Sequence, residues 1–188
     1  RAVKLLPLEL LTRTGGKRRW LDRFRRAAGA AVSLNHPGLV RAVDYGLDDS
    51  ISAAYVVSEL RLEPTLAERL PAKGPLTPAQ ALRLAYDVAQ GLRALHRGGL
   101  QHGRLAPSRL FVDSAGHGAL AGAGVGPALA WDRLPIESAC VDATGLTYMA
   151  PERLIQRRPH RTSDQFSLGA VLHEALTGEG DLVAVFRW

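Results

Sequence analysis

The chain passes from a strand-rich to a helix-rich piece near residues 60–64, and that change constrains the fold more than any other feature. Before it, "RAVKLL" (1–6), "LVRAVDYG" (Leu39 to Gly46) and "SAAYVVSEL" (Ser52 to Leu60) read as strands, with "LDDS" suited to a hairpin turn. A helix over residues 20–33 interrupts them, since Leu21, Phe24, Ala28 and Ala31 recur at helical spacing. After it, Pro64, Pro71, Pro75 and Pro78 punctuate the chain around a short helix near Thr65–Leu70. The strongest helical pattern follows, from Pro78 to about Arg97, with Ala81, Leu84, Ala85, Val88, Leu92 and Leu95 as its apolar stripe. Thr77 can cap it, Pro78 suits its first turn, and Gly98-Gly99 stop it. Residues 100–126 read as short strands separated by glycines, 127–150 as a long loop, and Leu168 to Leu176 as a last helix ended by Gly178. Strands first and helices afterwards make an α+β chain. The expected division is a strand-rich unit over 1–60 and a helix-rich unit over 61–188, meeting at a cleft of the kind that takes small ligands.

Composition narrows the function classes. Apolar residues make up 46% and charged residues 22%, ordinary for a globular chain. No apolar run reaches the length of a membrane span, so no membrane segment is expected. The opening "RAVKLLPLELL" is broken by Pro7 and Glu9 and lacks a small-residue cleavage site, unlike a signal peptide. Cys140 is the one cysteine, which rules out an internal disulfide, argues against a cysteine metal site and points to a reducing, cytoplasmic setting. Lys and Arg number 24 against 18 Asp and Glu, and only Lys4, Lys17 and Lys73 are lysines. The densest basic stretch, "GGKRRWLDRFRR" (Gly15 to Arg26), raises the question of nucleic acid. No aromatic platform or base-reading motif accompanies it, and its apolar positions would bury the far side of a helix. It reads as a solvated helix face, and no nucleic-acid partner is expected. Nor is it a phosphate loop: Lys17 lacks the upstream glycine spacing and the following Ser or Thr.

Several phrases, taken in order, resemble the protein-kinase fold, and in particular bacterial serine/threonine kinases. "RAVK" resembles the third-strand motif, which implies that Lys4 meets the α- and β-phosphates of ATP. "LNHPGLVRAVDYG" is similar to the turn and strand after the kinase C-helix. "YVVSEL" is similar to the strand entering the hinge, with Ser58 as gatekeeper and Glu59, Leu60 and Arg61 offering backbone groups to an adenine. "YDVAQGLRALHRGGLQHGRLAPSRLFV" resembles the E-helix and catalytic loop, and "ALAGAGVG" lies where the metal-binding DFG motif would be. "TGLTYMAPERL" resembles the motif that ends the activation segment, and "TSDQFSLGAVLHEALTG" the F-helix. His102, Pro107, Tyr148, Pro151, Glu152, Asp164 and Gly169 match the family's structural framework. The fold implied is two-lobed: a partial small N-lobe sheet with one helix, and a mainly helical C-lobe. By the same comparison the chain opens at the third strand, without a glycine-rich loop, and closes after the F-helix, so truncation at both ends is expected.

The same comparison shows what the cleft lacks. Phosphoryl transfer needs metal ions to neutralise the phosphates and a carboxylate to orient the incoming hydroxyl. The family's base position, two residues after His102, is Arg104, which cannot accept a proton at neutral pH. The family's lysine position is Ala106, its metal-binding asparagine position Arg109, and its DFG aspartate position Gly122. The C-helix glutamate that would pair with Lys4 falls near Ala27, and no acid lies within a turn on its C-terminal side. Asp113 follows Arg109 by four residues and reads as a turn residue in "VDSAG". Arg104 and Arg109 could instead fork onto a nucleotide phosphate without metal, or reflect drift in an Arg-rich chain.

The expectation is a kinase-like domain without catalysis, a pseudokinase that binds or regulates another protein, such as a signalling partner or an active kinase. ATP is the one cofactor implied, without the usual Mg²⁺ ligands, and no metal site is expected. Two alternatives stand beside it: a residual serine/threonine kinase, for which Lys4 speaks, and a truncated fragment without function. Ser138, Thr144 and Thr147 are candidate phosphate acceptors in the activation segment.

Overall fold

The computed structural model describes residues 1–8, 17–123, 147–156 and 160–180. Three strands form an antiparallel sheet in the order β1 (Ala2–Pro7), β3 (Ala53–Ser58), β2 (Ala42–Asp48). β3 is central because its alternation suits two neighbours: Ala54 and Val56 are buried, while Tyr55 and Val57 are half-buried on the other face. Helix α1 (Lys17–Val32) covers the sheet. Trp20 stacks on Phe24 at 5.2 Å between ring centroids, and Phe24 meets Tyr45 of β2 edge-on at 5.9 Å. Ala27, Ala28 and Ala31 complete the buried stripe, while Arg18, Arg25 and Arg26 are exposed. The basic cluster is thus the outer face of an amphipathic helix. The helix begins three residues before its apolar pattern does, since Lys and Arg are good helix formers and a first turn needs no buried side chain.

β2 also begins later than its sequence suggests, at Ala42 rather than Leu39. The apolar run Leu39-Val40 belongs to another pairing: Val40 N–H donates to the Leu120 carbonyl and Leu120 N–H to the Gly38 carbonyl, each at 2.9 Å. Beyond the sheet, α2 (Leu66–Lys73) opens on a capping box between Thr65 and Glu68, and α3 (Pro78–Arg97) on a second between Thr77 and Gln80. α3 has the bounds its sequence predicts and buries Ala81, Leu84, Val88, Leu92 and Leu95. A 3₁₀ turn (Pro107–Arg109) leads into the hairpin of β4 (Leu110–Val112) and β5 (Gly118–Leu120). The loop expected over 127–150 falls mostly outside the described residues, as do Cys140, Ser138 and Thr144.

Two helices close the described chain, α4 (Pro151–Gln156) and α5 (Arg161–Thr177). The sequence reading located only the C-terminal half of α5. Its first half carries no apolar stripe because it buries polar groups, Ser163, Asp164 and Ser167. One apolar cluster runs from Leu6 and Phe24 through Leu84 and Leu110 to Val171 and Ala175. No described helix is long and apolar enough to cross a membrane.

Candidate functional site

The segment between α3 and β4 is fixed from beneath by one carboxylate. Asp164, in the first turn of α5, is fully buried. It accepts the backbone N–H of His102 at 2.9 Å and that of Gly103 at 2.7 Å, and the His96 ring at 2.8 Å. An anion that accepts several hydrogen bonds tolerates burial far better than an unpaired one. His102 is itself buried, and its Nε2 donates to the Ala121 carbonyl at 3.0 Å. Burial pushes its pKa down to about 4, although the Asp164 charge opposes the shift; Arg109 and Lys4 push the same way as burial. His102 is therefore an uncharged strut joining the loop to residues 121–123.

The same cross-link positions Arg109. Its N–H closes the 3₁₀ turn on the Ala106 carbonyl at 3.0 Å, and its carbonyl accepts Ala121 N–H at 2.8 Å. Next along is Gly122, in the left-handed region at φ 91°. A Cβ placed there would lie 3.4 Å from the Arg109 Nη1 and 3.8 Å from the His102 Nε2, with no other described atom within 4 Å apart from its chain neighbours. A guanidinium thus stands beside the point from which a side chain at 122 would project. Ala106 is buried, and its side chain offers no polar group. Arg104 is half-buried, and its N–H donates to His102 Nδ1 at 3.4 Å.

Mg²⁺ does not fit these residues. It requires oxygen ligands at about 2.0–2.1 Å in near-octahedral array. Gly122 has no side chain, Arg109 is a cation, and no group of three or more His, Cys, Asp or Glu that could hold a metal occurs among the described residues. Asp113 is committed to its turn, accepting the N–H of Ala115 at 2.9 Å and of His117 at 2.8 Å.

Across the cleft, the register pairs Lys4 with Val56 and Ala2 with Ser58, so Lys4 and Ser58 share one face of the sheet. Lys4 is exposed. Ala27, the expected C-helix position, is buried in the apolar core and supplies no carboxylate to Lys4. Glu59 N–H donates to the Arg41 carbonyl at 3.0 Å. Leu60 is exposed, and Arg61 lines a cavity of about 430 Å³ with Glu63, Phe111 and His117, to which none of Lys4, Ser58, Arg109 and Gly122 contributes. Phe111 escaped the sequence reading, although an aromatic residue in the first strand after the loop was visible. His96 escaped it because its partner Asp164 lies 68 residues away.

The framework residues fall near α4 and α5. Tyr148 donates its hydroxyl to Glu174, and burial together with that carboxylate raises its pKa. Ser167 Oγ donates to the Tyr148 carbonyl at 2.7 Å, and Ser163 Oγ to Glu152 at 2.8 Å. Pro151 opens α4. At Gly169 an added Cβ would meet no atom of the described residues within 4 Å, so their packing does not demand glycine there.

Comparison with known proteins gives the family of this fold. The sequence pattern of the protein kinase domain matches residues 9–183. The chain is 32% identical over 159 residues to the serine/threonine-protein kinase PknB of Mycobacterium leprae, covering 84% of this chain and 25% of that protein. It is 31% identical over 159 residues to PrkC of Bacillus subtilis, covering 85% and 24%, and 32% identical over 172 residues to PknL of Mycobacterium tuberculosis, covering 89% and 41%. The chain thus spans about a quarter of the length of the first two relatives. With a kinase pattern along most of its length and an α+β fold to match, the chain belongs to the protein kinase domain family, and its kinase-like fold is of the bacterial serine/threonine type.

Proposed function

We propose that this domain is a pseudokinase: a kinase-like module that regulates or binds another protein and does not transfer phosphate. One observation carries the reading. The Arg109 guanidinium lies 3.4 Å from the Cβ position of Gly122, where the family's metal-binding carboxylate would project. Charge is reversed at 109 and removed at 122, and the base position carries Arg104. Loss of a general base alone lowers a rate by about 10²–10⁴, and loss of the metal anchors removes the main electrostatic stabilisation of the transferring group. Meanwhile Asp164 and His102 retain a fully bonded scaffold, which supports a role in binding. The partner class is protein, a signalling protein or an active kinase, in a cytoplasmic setting.

Retention of Lys4, on the same face of the sheet as Ser58, favours a second reading as a residual serine/threonine kinase. Incubation with γ-labelled ATP and Mg²⁺ or Mn²⁺, alone and with a generic acceptor protein, separates the two. We expect no incorporation above a no-protein control. Label transfer that disappears in Lys4→Ala would overturn the pseudokinase reading.

A further inference from the structure

The cavity of about 430 Å³ beside Arg61 takes its walls from four stretches of chain: the turn before β2 (Pro37), the segment before α2 (Arg61 and Glu63), α3 (Asp87) and the β4–β5 hairpin (Phe111 and Asp113). Its volume falls within the range of about 300–1,000 Å³ usual for ligand sites. The walls are fixed. Gly38, next to Pro37, has no room for a Cβ against the Asp87 carbonyl oxygen, so the turn lies pressed on α3. Asp87 Oδ2 meets the His117 ring at 2.9 Å and accepts Gly118 N–H at 3.2 Å. Asp113 Oδ1 accepts the N–H groups of Ala115 and His117, and Glu63 Oε2 accepts Leu62 N–H at 3.1 Å. Each carboxylate thus has one oxygen held by the fold. The other oxygens, Asp87 Oδ1, Asp113 Oδ2 and Glu63 Oε1, accept no hydrogen bond from the described residues.

The cation in the wall does not answer them. Arg61 Nε stands 3.7 Å from Glu63 Oε2, too far for a hydrogen bond, and is buried with no hydrogen-bond partner among the described residues. Three carboxylates surround one guanidinium, in a chain whose net charge is +6, so the sign of this cavity opposes that of the chain. A metal ion does not fit, since no group of three or more His, Cys, Asp or Glu that could hold one occurs among the described residues. Oxygens spread more widely than that suit a guanidinium, with five N–H donors in a planar fork, better than a compact ammonium. The buried Arg61 Nε–H needs an acceptor, which a peptide carbonyl supplies and a bare cation does not. Leu62, between two lining residues, is 88% exposed, and Leu60 is 58% exposed, so apolar surface adjoins the charged one. We propose that this cavity receives an arginine side chain presented by a peptide segment of a partner protein, with an apolar residue beside that arginine. The inference rests on the reading of this domain as a protein-binding module, and gives that role a surface and a partner chemistry.

Fluorescence anisotropy tests this with a blocked, labelled five-residue peptide whose central arginine is flanked by leucines. Versions with citrulline or lysine at the centre are measured beside it, with free arginine as competitor. The arginine peptide is expected to bind saturably, the lysine peptide more weakly, and the citrulline peptide, which keeps the shape and loses the charge, about tenfold more weakly. E63Q and D113N keep an oxygen for the local N–H groups, and each should weaken the arginine peptide about fivefold while leaving the citrulline peptide unchanged. L62A should weaken both peptides. D49N removes the same charge from an exposed position between β2 and β3 and should change neither. Circular dichroism confirms that each variant is folded. Equal binding of the arginine and citrulline peptides, a loss in D49N equal to that in E63Q, absence of saturable binding, or free arginine competing as well as the peptide overturns the inference. So does self-association in sedimentation that E63Q abolishes, because the arginine would then come from a second copy of this chain. Each of these outcomes leaves the pseudokinase reading standing, which label transfer from ATP overturns.

Discussion

His102 shows how one side chain ties the site to stability. Its charged form is disfavoured by burial, so its folded pKa is depressed from 6.5 to about 4. The unfolded chain therefore takes up a proton first as pH falls. The stabilisation is fully present above about pH 6.5 and is lost progressively down to about pH 4, at about 1.4 kcal/mol per pH unit. Urea unfolding should show the domain weaker by about 2 kcal/mol at pH 5 than at pH 7 from this residue alone. H102Q should show a smaller pH dependence than the unsubstituted chain; equal dependence would remove His102 from the account. Asp164 is the complementary case. D164A leaves the buried His102 N–H, the part-buried Gly103 N–H and a histidine without their acceptor, and should lower stability by on the order of 3 kcal/mol in the same assay. At this scale the sequence was legible where a substitution changed charge, as at Arg104, Arg109 and Gly122. It was silent where a role depends on a distant partner, as for His96, or on which wall of a cavity a ring lines, as for Phe111.

Among the elements, two glycines in helices predict opposite outcomes. Gly91 lies in α3 against the turn before β2, and a Cβ there would come within 2.7 Å of the Gly38 carbonyl oxygen, which is backbone and cannot simply rotate away. G91A gains up to about 1 kcal/mol of helix propensity but incurs about 1–3 kcal/mol of overpacking, so a net loss is expected. Gly169 lies in α5 with no other described atom in reach of an added Cβ, and G169A should raise stability by about 0.5–1 kcal/mol. Urea midpoints that move in the same direction for both would contradict the packing described. α3 was readable to the residue because its stripe, its cap and its stop signals agree. α5 was half-hidden because its N-terminal turns bury serine and aspartate rather than leucine. β2 was displaced because Leu39 and Val40, apolar enough for that strand, serve the β4–β5 hairpin instead.

For the whole molecule, the passage from strands to helices near residues 60–64 was sufficient to give the α+β class, and the ordered motifs were sufficient to give the family. What no sequence pattern could supply is the geometry that sets a guanidinium beside a glycine, because it depends on the backbone bonds from Arg109 to Ala106 and Ala121. The central claim is that this cleft keeps the kinase framework without a place for the metal. The most direct measurement is an anomalous difference map from crystals grown with ATP and Mn²⁺. The account predicts no manganese peak between His102, Arg109 and Gly122. A manganese ion at that spot, bound by protein oxygens, would contradict it.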